Sequence, residues 1–106
     1  MKSSKRFFKE LNISGSYENF KDFFYDNETI IYLSIIDIFI NFKESKKKKL
    51  TLSVSTKIND MDWTTEFHFY RNESIVLKRD ILPYFEKIEN YETCQKINNL
   101  YVDLTS

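Results

Sequence analysis

The chain is poor in the residue types on which many active sites depend. Its 106 residues include one glycine, one proline, one cysteine and one histidine, and alanine is absent. One cysteine excludes an intrachain disulfide, and one cysteine with one histidine is too few for a common zinc cage. The single glycine, Gly15, leaves no glycine-rich phosphate loop and no dinucleotide-binding fingerprint. We therefore expect no metal, no cofactor and no enzymatic activity.

Long apolar runs are also missing. The most apolar stretch, residues 30–40, contains Asp37 and is far shorter than the roughly 20 apolar residues of a membrane-spanning helix. The opening MKSSKRFFKELN carries charges but lacks the apolar segment of a signal peptide. The lone Cys94 fits a reducing compartment, where it would be a small buried apolar residue. We expect a protein of the bacterial host cytoplasm that is neither secreted nor bound to a membrane.

The charges balance, since 16 basic and 16 acidic residues give a net charge of zero. The whole molecule then has no field that attracts nucleic acid or anionic lipid, so any such binding must be local. A hydrophobic fraction of 42% and an aromatic fraction of 17% exclude disorder. The length fits a single domain over residues 1–106.

The composition also bears on the source of the chain. Lys, Asn, Ile, Phe and Tyr make up nearly half of the residues, whereas Gly, Ala, Arg and Pro are scarce. The first group is encoded by A/T-rich codons and the second by G/C-rich codons. We infer an A/T-rich genome, such as that of a low-G+C bacterium, its phage or another mobile element.

Residues 1–28 are predicted to be helical in two pieces. Phe7, Phe8 and Leu11 fall on one helical face, and the sequence Ser-Gly-Ser at residues 14–16 then breaks the pattern. A second helix is predicted to begin behind Ser16 as its N-cap. Both helices present aromatic side chains, so both are expected to pack against the rest of the domain.

Residues 29–79 are predicted to form an antiparallel meander of about four strands. Residues 29–42 are apolar on both strand faces, which is typical of a covered central strand, although a buried helix fits the same uniformly apolar run. Residues 50–58 and 63–70 alternate apolar and polar side chains, as half-buried strands do. A turn at residues 59–62 joins these two strands, and residues 74–78 are the fourth strand.

Residues 80–106 are predicted to be helical, with Asp80 as N-cap and Pro83 in the first turn. Whether Asn90 separates two helices or lies within one long helix is left open by the pattern. The fold class is therefore α+β, with an antiparallel sheet, N-terminal helices, and a C-terminal helical hairpin or long helix. The predicted core includes Ile36, Ile38, Leu52, Val54, Trp63, Phe67, Phe69, Leu82, Phe85 and Ile88.

A run of lysines follows the first predicted strand, which places it at the tip of a hairpin. Four like charges cannot be buried unpaired, so one interpretation is a solvated loop. The second is contact with the phosphates of a nucleic acid, and the third is contact with an acidic patch of a protein. The candidate nucleic-acid-binding residues are Lys46, Lys47, Lys48 and Lys49, with Lys5, Arg6 and Lys9 joining them if the first helix lies beside the hairpin.

The one histidine, His68, lies on the polar face of a predicted strand, with Glu66 and Tyr70 two residues away on either side. Such a trio could in principle move a proton. Three ordinary residues on a solvated sheet face are the simpler interpretation, and no candidate nucleophile accompanies them.

The stretch LPYFEKIENYETCQKINNLYVDL, residues 82–104, carries a turn that reads acid, Asn, aromatic, Glu at residues 89–92. With Cys94 at a small-residue position and Ile97 at an apolar one, it resembles the UVR motif, a short helical hairpin of bacterial excision-repair subunits and some Clp-associated regulators. Asn98 and Asn99 stand where that motif usually has Arg-Asp. The resemblance implies a helical hairpin that docks on another protein, with candidate partner-binding residues Glu86, Glu89, Tyr91, Glu92, Lys96 and Tyr101.

Together these features predict a small non-enzymatic binding protein of phage or mobile-element type that docks on or masks a larger protein. An inhibitor of host defence, an immunity protein or a virion component would all fit. The alternative is a nucleic-acid-binding accessory protein that uses the lysine run. A homodimer is a third possibility, with the apolar residues 30–42 contributing to its seam.

Overall fold

The computed structural model describes residues 9–106. Three strands and four α-helices follow one another in the order β1, α1, α2, β2, β3, α3, α4. Their bounds are β1 Lys9–Tyr17, α1 Phe20–Asp26, α2 Glu28–Glu44, β2 Lys49–Ile58, β3 Met61–Tyr70, α3 Leu82–Lys87 and α4 Tyr91–Thr105. The α+β class is confirmed, but the sheet has three strands, not about four, and it is mixed, not purely antiparallel.

The described part of the N-terminal segment, from residue 9, begins with a strand, so the predicted helix is wrong from Lys9 onward. Within β1, Leu11 and Ile13 are half-buried while Glu10 and Asn12 are exposed, which is the two-residue period of a strand. Phe7 and Phe8, on which the helical pattern rested, lie outside the described residues. Helix α1 does follow, but its N-cap is Asn19, whose Oδ1 accepts the N–H of Asp22 at 2.9 Å, and not Ser16.

Residues 29–42 form most of helix α2, so the predicted strand is wrong and the helical alternative is correct. The helix is buried on most of its circumference, including Ile31, Ile35, Ile38 and Phe42. A helix enclosed on several sides loses the amphipathic stripe that normally reveals it. Its large apolar side chains that remain exposed are Ile30 and Leu33, so most of the apolar surface proposed for a dimer seam is used inside the chain.

The strands form one sheet in the order β1-β2-β3, with β1 parallel and β3 antiparallel to β2. Helices α1 and α2 provide the crossover that a parallel connection requires. The hairpin between β2 and β3 has two loop residues, Asn59 and Asp60, with φ values of 52° and 63°. Positive φ at both positions is the type I′ geometry of two-residue hairpins.

The chain after β3 is helical, so the predicted fourth strand over residues 74–78 is wrong. A π-helical turn, Leu77–Ile81, leads directly into α3. Asp80 lies inside that turn and is not an N-cap, whereas Pro83 stands within the first turn of α3 as expected. Buried Leu77 and Ile81 are four residues apart. Residues at this spacing share a face in a strand as well as in a helix, so a short apolar run does not distinguish the two.

Asn90 separates two helices, which resolves the question that the sequence left open. Helices α3 and α4 contact each other, and α4 also packs on α2. The buried residues of α4 are Cys94, Ile97 and Leu100. Residues 82–104 are thus a helical hairpin.

One apolar cluster joins the sheet to the helices. Six of the ten predicted core residues are buried in it, namely Ile36, Ile38, Leu52, Val54, Leu82 and Phe85. Trp63, Phe67 and Phe69 of β3 are half-buried against the cluster. Ile88 is 45% exposed, so its assignment to the core is wrong. Among residues 9–106, no helix has both the length and the apolar character needed to cross a membrane.

Candidate functional site

The turn between α3 and α4 has the geometry of a Schellman C-cap. The N–H of Asn90 donates to the carbonyl of Phe85 at 2.9 Å, and the N–H of Glu89 donates to that of Glu86 at 3.0 Å. This pair of bonds requires a left-handed residue at the position of Glu89, whose φ is 59°. Glycine is the usual residue there because it has no Cβ to clash.

The same turn starts the next helix without any intervening loop. The Oδ1 atom of Asn90 accepts the N–H of Thr93 at 3.2 Å, and its carbonyl accepts the N–H of Cys94 at 3.1 Å. The carbonyls of Phe85 and Glu86 in α3 and the N–H of Thr93 in α4 are therefore satisfied within the turn. The backbone of this turn is held by two helix ends and is not a free loop.

Four of the six candidate partner-binding residues meet at this turn. The carboxylates of Glu86, Glu89 and Glu92 are exposed, and Tyr91 is 66% exposed. The half-exposed Ile88 adds a second apolar side chain among them. We call residues 86–92 the acidic turn.

The other two candidates lie elsewhere on α4. Lys96 is exposed one helical turn beyond Glu92, so it borders the acidic turn. Tyr101 is half-buried near the opposite end of the helix, with the Lys78 ammonium 5.5 Å from its ring centroid. The structure thus brings Lys96 close to the acidic turn but does not bring Tyr101 there.

The acidic turn and the lysine run lie toward opposite ends of the helical layer. Lys43, at the end of α2, pairs with Asp103, at the end of α4, at 2.8 Å, while Tyr84 of α3 bonds Thr29 at the start of α2. Helix α4 therefore starts near the beginning of α2, about 20 Å from its own C-terminal end. The lysine run follows the end of α2.

The lysine run connects a helix to a strand, so its predicted place at a hairpin tip is wrong. Lys46, Lys47 and Lys48 lie in the connection between α2 and β2, Lys49 is the first residue of β2, and all four are exposed. They are displayed to solvent, as both the solvated-loop and the binding interpretations require.

Arg71, which the sequence reasoning missed, holds this connection together. Its Nε donates to the carbonyl of Lys47 at 3.2 Å, its Nη2 donates to the carbonyl of Ser45, and its backbone N–H donates to that of Lys48 at 3.0 Å. The guanidinium carbon also stands 5.7 Å from the centroid of Phe42. We call Lys46–Lys49 with Arg71 the basic loop.

The other predicted members of the basic surface do not join it among the described residues. Lys9 pairs with Asp37 of α2 at 3.1 Å, and its side chain points to the helical side of the sheet, since Lys9 is in register with the buried Leu52. Lys5 and Arg6 lie outside the described residues. The described part of the basic surface is therefore the basic loop.

His68 belongs to a ladder of polar side chains on the face of the sheet that the helices leave uncovered. Its Nδ1 is 2.9 Å from the hydroxyl of Thr51, and its Nε2 is 3.7 Å from the carboxylate of Glu66. Similar bonds join Ser55 to Thr64 at 2.9 Å and Lys57 to Asp62 at 2.9 Å. These are non-hydrogen-bonded backbone pairs, in which side chains approach most closely. The interactions of His68 are those of sheet cross-strand pairs.

The ion pair between Lys57 and Asp62 shifts the pKa of both side chains. The pKa of Lys57 is raised and that of Asp62 is lowered, in each case mainly by the side-chain hydrogen bond between them. Among residues 9–106, no group of three His, Cys, Asp or Glu side chains is placed to hold a metal ion.

Comparison of the chain with models of protein families, with curated proteins and with solved structures found no match. The candidate sites therefore rest on the geometry alone. Two residues of these sites were not predicted as site residues. Arg71 is a single arginine after a strand, and Ile88 was predicted to lie in the core. The positive φ of Glu89 had a partial signal, since a helix-turn-helix pattern without glycine forces another residue into that position.

Proposed function

We propose that the chain is a non-enzymatic protein-binding module that docks on a larger protein through the acidic turn. In a phage or mobile-element setting, such a module would act by masking a functional surface, as a host-defence inhibitor, an immunity protein or a virion component does. The partner surface is basic, because residues 86–92 carry three carboxylates against one exposed cation, Lys87.

The observation that carries this proposal is the left-handed conformation of Glu89. A side chain with a Cβ is disfavoured there by about 1–2 kcal/mol relative to glycine. Residues held in such strained backbone conformations cluster at active sites, ligand clamps and switch regions. A carboxylate retained at a position suited to glycine, beside two further carboxylates, supports a binding role for the acidic turn.

The side chains at the turn also fit the composition of binding hot spots. Tyr91 and Ile88 offer exposed apolar area, and tyrosine is enriched among residues that contribute most to protein–protein affinity. The carboxylates of Glu86, Glu89 and Glu92 would form the polar rim around them. Because two helix ends fix the turn, little conformational freedom is lost on binding, which favours affinity.

A pull-down from nuclease-treated lysate of the native host tests this proposal. The baits are the natural chain, a variant with Glu86→Lys, Glu92→Lys and Tyr91→Ala, and a control variant with Lys46, Lys47, Lys48 and Lys49 changed to alanine. We expect one protein in stoichiometric amount with the natural chain and the control, and its loss with the acidic-turn variant. Equal recovery with the acidic-turn variant would contradict the proposal.

A second candidate function is supported by the basic loop. Arg71 adds a fifth cation to the four lysines, and the exposed Tyr70 lies beside it, opposite Lys49 across the hairpin. Cations next to an exposed aromatic ring are the features with which proteins bind single-stranded nucleic acid. Fluorescence anisotropy with a labelled oligothymidine tests it: binding should weaken steeply with salt, and the four-lysine variant should flatten that dependence. Recovery of proteins from untreated lysate, and their loss after nuclease treatment, would favour this second function.

A further inference from the structure

The two edges of the sheet differ in how they are protected. Along the outer strand β1, pairing with β2 is interrupted between Asn12 and Ser16, where Gly15 has a φ of 130°. Bulges of this kind protect edges from pairing with another chain. The other edge, β3, pairs with β2 without interruption from Met61 to Tyr70 and contains no proline, glycine or lysine. The edge of β3 is therefore the less protected one, with Asp62 and Glu66 as its acidic side chains.

The backbone groups that this edge presents can be assigned from the pairing with β2. The N–H of Arg71 donates to the carbonyl of Lys48. The backbone N–H and C=O groups of odd-numbered β3 residues therefore face β2, and those of even-numbered residues face away from the sheet. Within residues 9–106, no hydrogen bond is formed by the N–H groups of Asp62, Thr64, Glu66 and His68, whereas that of Tyr70 donates to Glu73 at 2.8 Å. Four consecutive outward-facing residues thus have free backbone groups.

We propose that β3 pairs antiparallel with β3 of a second copy of the chain, with Thr65 on the two-fold axis. Because only even-numbered residues face outward, the two registers with the longest overlap place Thr65 or Glu66 on that axis. The Glu66 register sets two glutamates directly opposite each other, which is destabilising. The Thr65 register sets Glu66 opposite Thr64 and His68 opposite Asp62 of the second copy. It therefore avoids the repulsion between the two glutamates, which favours it over the Glu66 register.

The helical side of the edge also favours the Thr65 register. Trp63 would lie opposite Phe67 of the second copy, and the exposed Met61 opposite its Phe69. Aromatic pairs, and methionine against an aromatic ring, are favourable contacts across strands. The pairing would complete the burial of rings that the chain by itself leaves half-buried.

Cysteine substitution tests the register. In a Cys94→Ala background, Thr65→Cys places two thiols on the axis at a non-hydrogen-bonded pair, with Cα atoms about 4.5 Å apart and within the range of a disulfide. We expect Thr65→Cys to form a covalent dimer under mild oxidation. The matched variant Glu66→Cys should form no covalent dimer, because residue 66 is on the axis only in the rejected register. A dimer with Glu66→Cys and none with Thr65→Cys would overturn the register.

Hydrogen exchange of the natural chain tests the pairing itself without any substitution. As chain concentration rises to about 1 mM, where even weak contacts are populated, exchange at the N–H groups of Thr64, Glu66 and His68 should slow at least tenfold. The N–H groups of Thr65 and Phe67 bond to β2 and should be protected at every concentration, which serves as the internal control. Sedimentation should give twice the 12.9 kDa of the monomer. A monomer with concentration-independent exchange overturns the proposal, including the case in which β3 pairs only with a strand of another protein.

Discussion

Arg71 donates from Nε to the carbonyl oxygen of Lys47 at 3.2 Å, and this contact joins the start of the chain segment after β3 to the connection before β2. With the further bonds from Arg71 to Ser45 and Lys48, one residue satisfies three carbonyls of a connection that otherwise consists of like charges. The lysines can therefore remain together at one end of the sheet although they repel one another.

Replacing Arg71 by lysine keeps the charge but removes the planar fork that reaches two carbonyls. We expect Arg71→Lys to lower the free energy of unfolding by about 1–3 kcal/mol, because hydrogen bonds from a charged donor are lost. Urea unfolding measures this change. The control is Arg79→Lys, whose ion pair with Asp80 is exposed and should change the stability by less than about 1 kcal/mol. Equal effects of the two variants would contradict the role assigned to Arg71.

Glu89→Gly should stabilise the fold while weakening partner binding. Glycine relieves the left-handed backbone at C′, and after subtraction of its greater freedom in the unfolded chain we expect a gain of about 0.5–1 kcal/mol. The matched control is Glu86→Gly, inside α3, which should instead cost about 1 kcal/mol. Thermal unfolding of both variants provides the comparison. A loss of stability with Glu89→Gly would mean that its side chain supports the fold itself.

A helix and a strand over residues 28–44 predict different stabilities for two alanine variants. Ile30 and Ile38 share one face if the segment is a strand, but in the helix Ile38 is fully buried and Ile30 is 45% exposed. Ile38→Ala should therefore cost about 2–5 kcal/mol, whereas Ile30→Ala should cost less than about 1 kcal/mol. Urea unfolding of both variants decides the matter, and similar large losses would favour the strand.

Cys94 is predicted to be an unreactive thiol. Burial raises the pKa of this thiol above its ordinary value of 9.0, and the Glu86 carboxylate raises it further. At pH 8 we expect slow reaction with a thiol reagent until the chain is unfolded, since the thiolate is the reactive form. The control is Thr105→Cys in a Cys94→Ala background, which places the thiol at an exposed position. Comparable rates for the two cysteines would contradict the buried position.

The raised pKa of Cys94 also affects the stability of the fold at alkaline pH. The folded chain holds the proton of the Cys94 thiol to higher pH than the unfolded chain does. The stabilisation that this proton confers is complete below pH 9.0 and is lost as the pH rises through the raised pKa of the folded protein. Cys94→Ala should remove this part of the alkaline loss, which unfolding experiments across that range can detect.

The sequence predicts strands β2 and β3, but it predicts neither strand β1 nor the enclosed helix α2. Residues 50–58 alternate apolar and polar side chains, and that alternation is visible in the residues themselves, although β2 is the central strand and buries side chains on both of its faces. Helix α2 contacts the sheet on one side and α4 on another, so its apolar residues follow no stripe. Their β-branched character then favours a strand by propensity, and tertiary packing overrides it.

The two candidate sites also differ in how far the sequence predicts them. The acidic turn is local in sequence, so its six candidates include four that the structure brings together. The basic loop depends on Arg71, which lies more than 20 residues beyond the lysines and reaches them only because β2 and β3 pair as a hairpin. A contact of that kind needs the strand register, which composition and periodicity do not supply.

Site-specific photocrosslinking in cells of the native host tests the central claim most directly. A photoreactive phenylalanine analogue is placed at Tyr91 in the acidic turn or at Tyr25 on α1, two tyrosines with similar exposure of 66% and 61%. We predict one discrete protein adduct from the Tyr91 position and none from Tyr25. The absence of an adduct at Tyr91, or the same adducts at both positions, would contradict docking through the acidic turn.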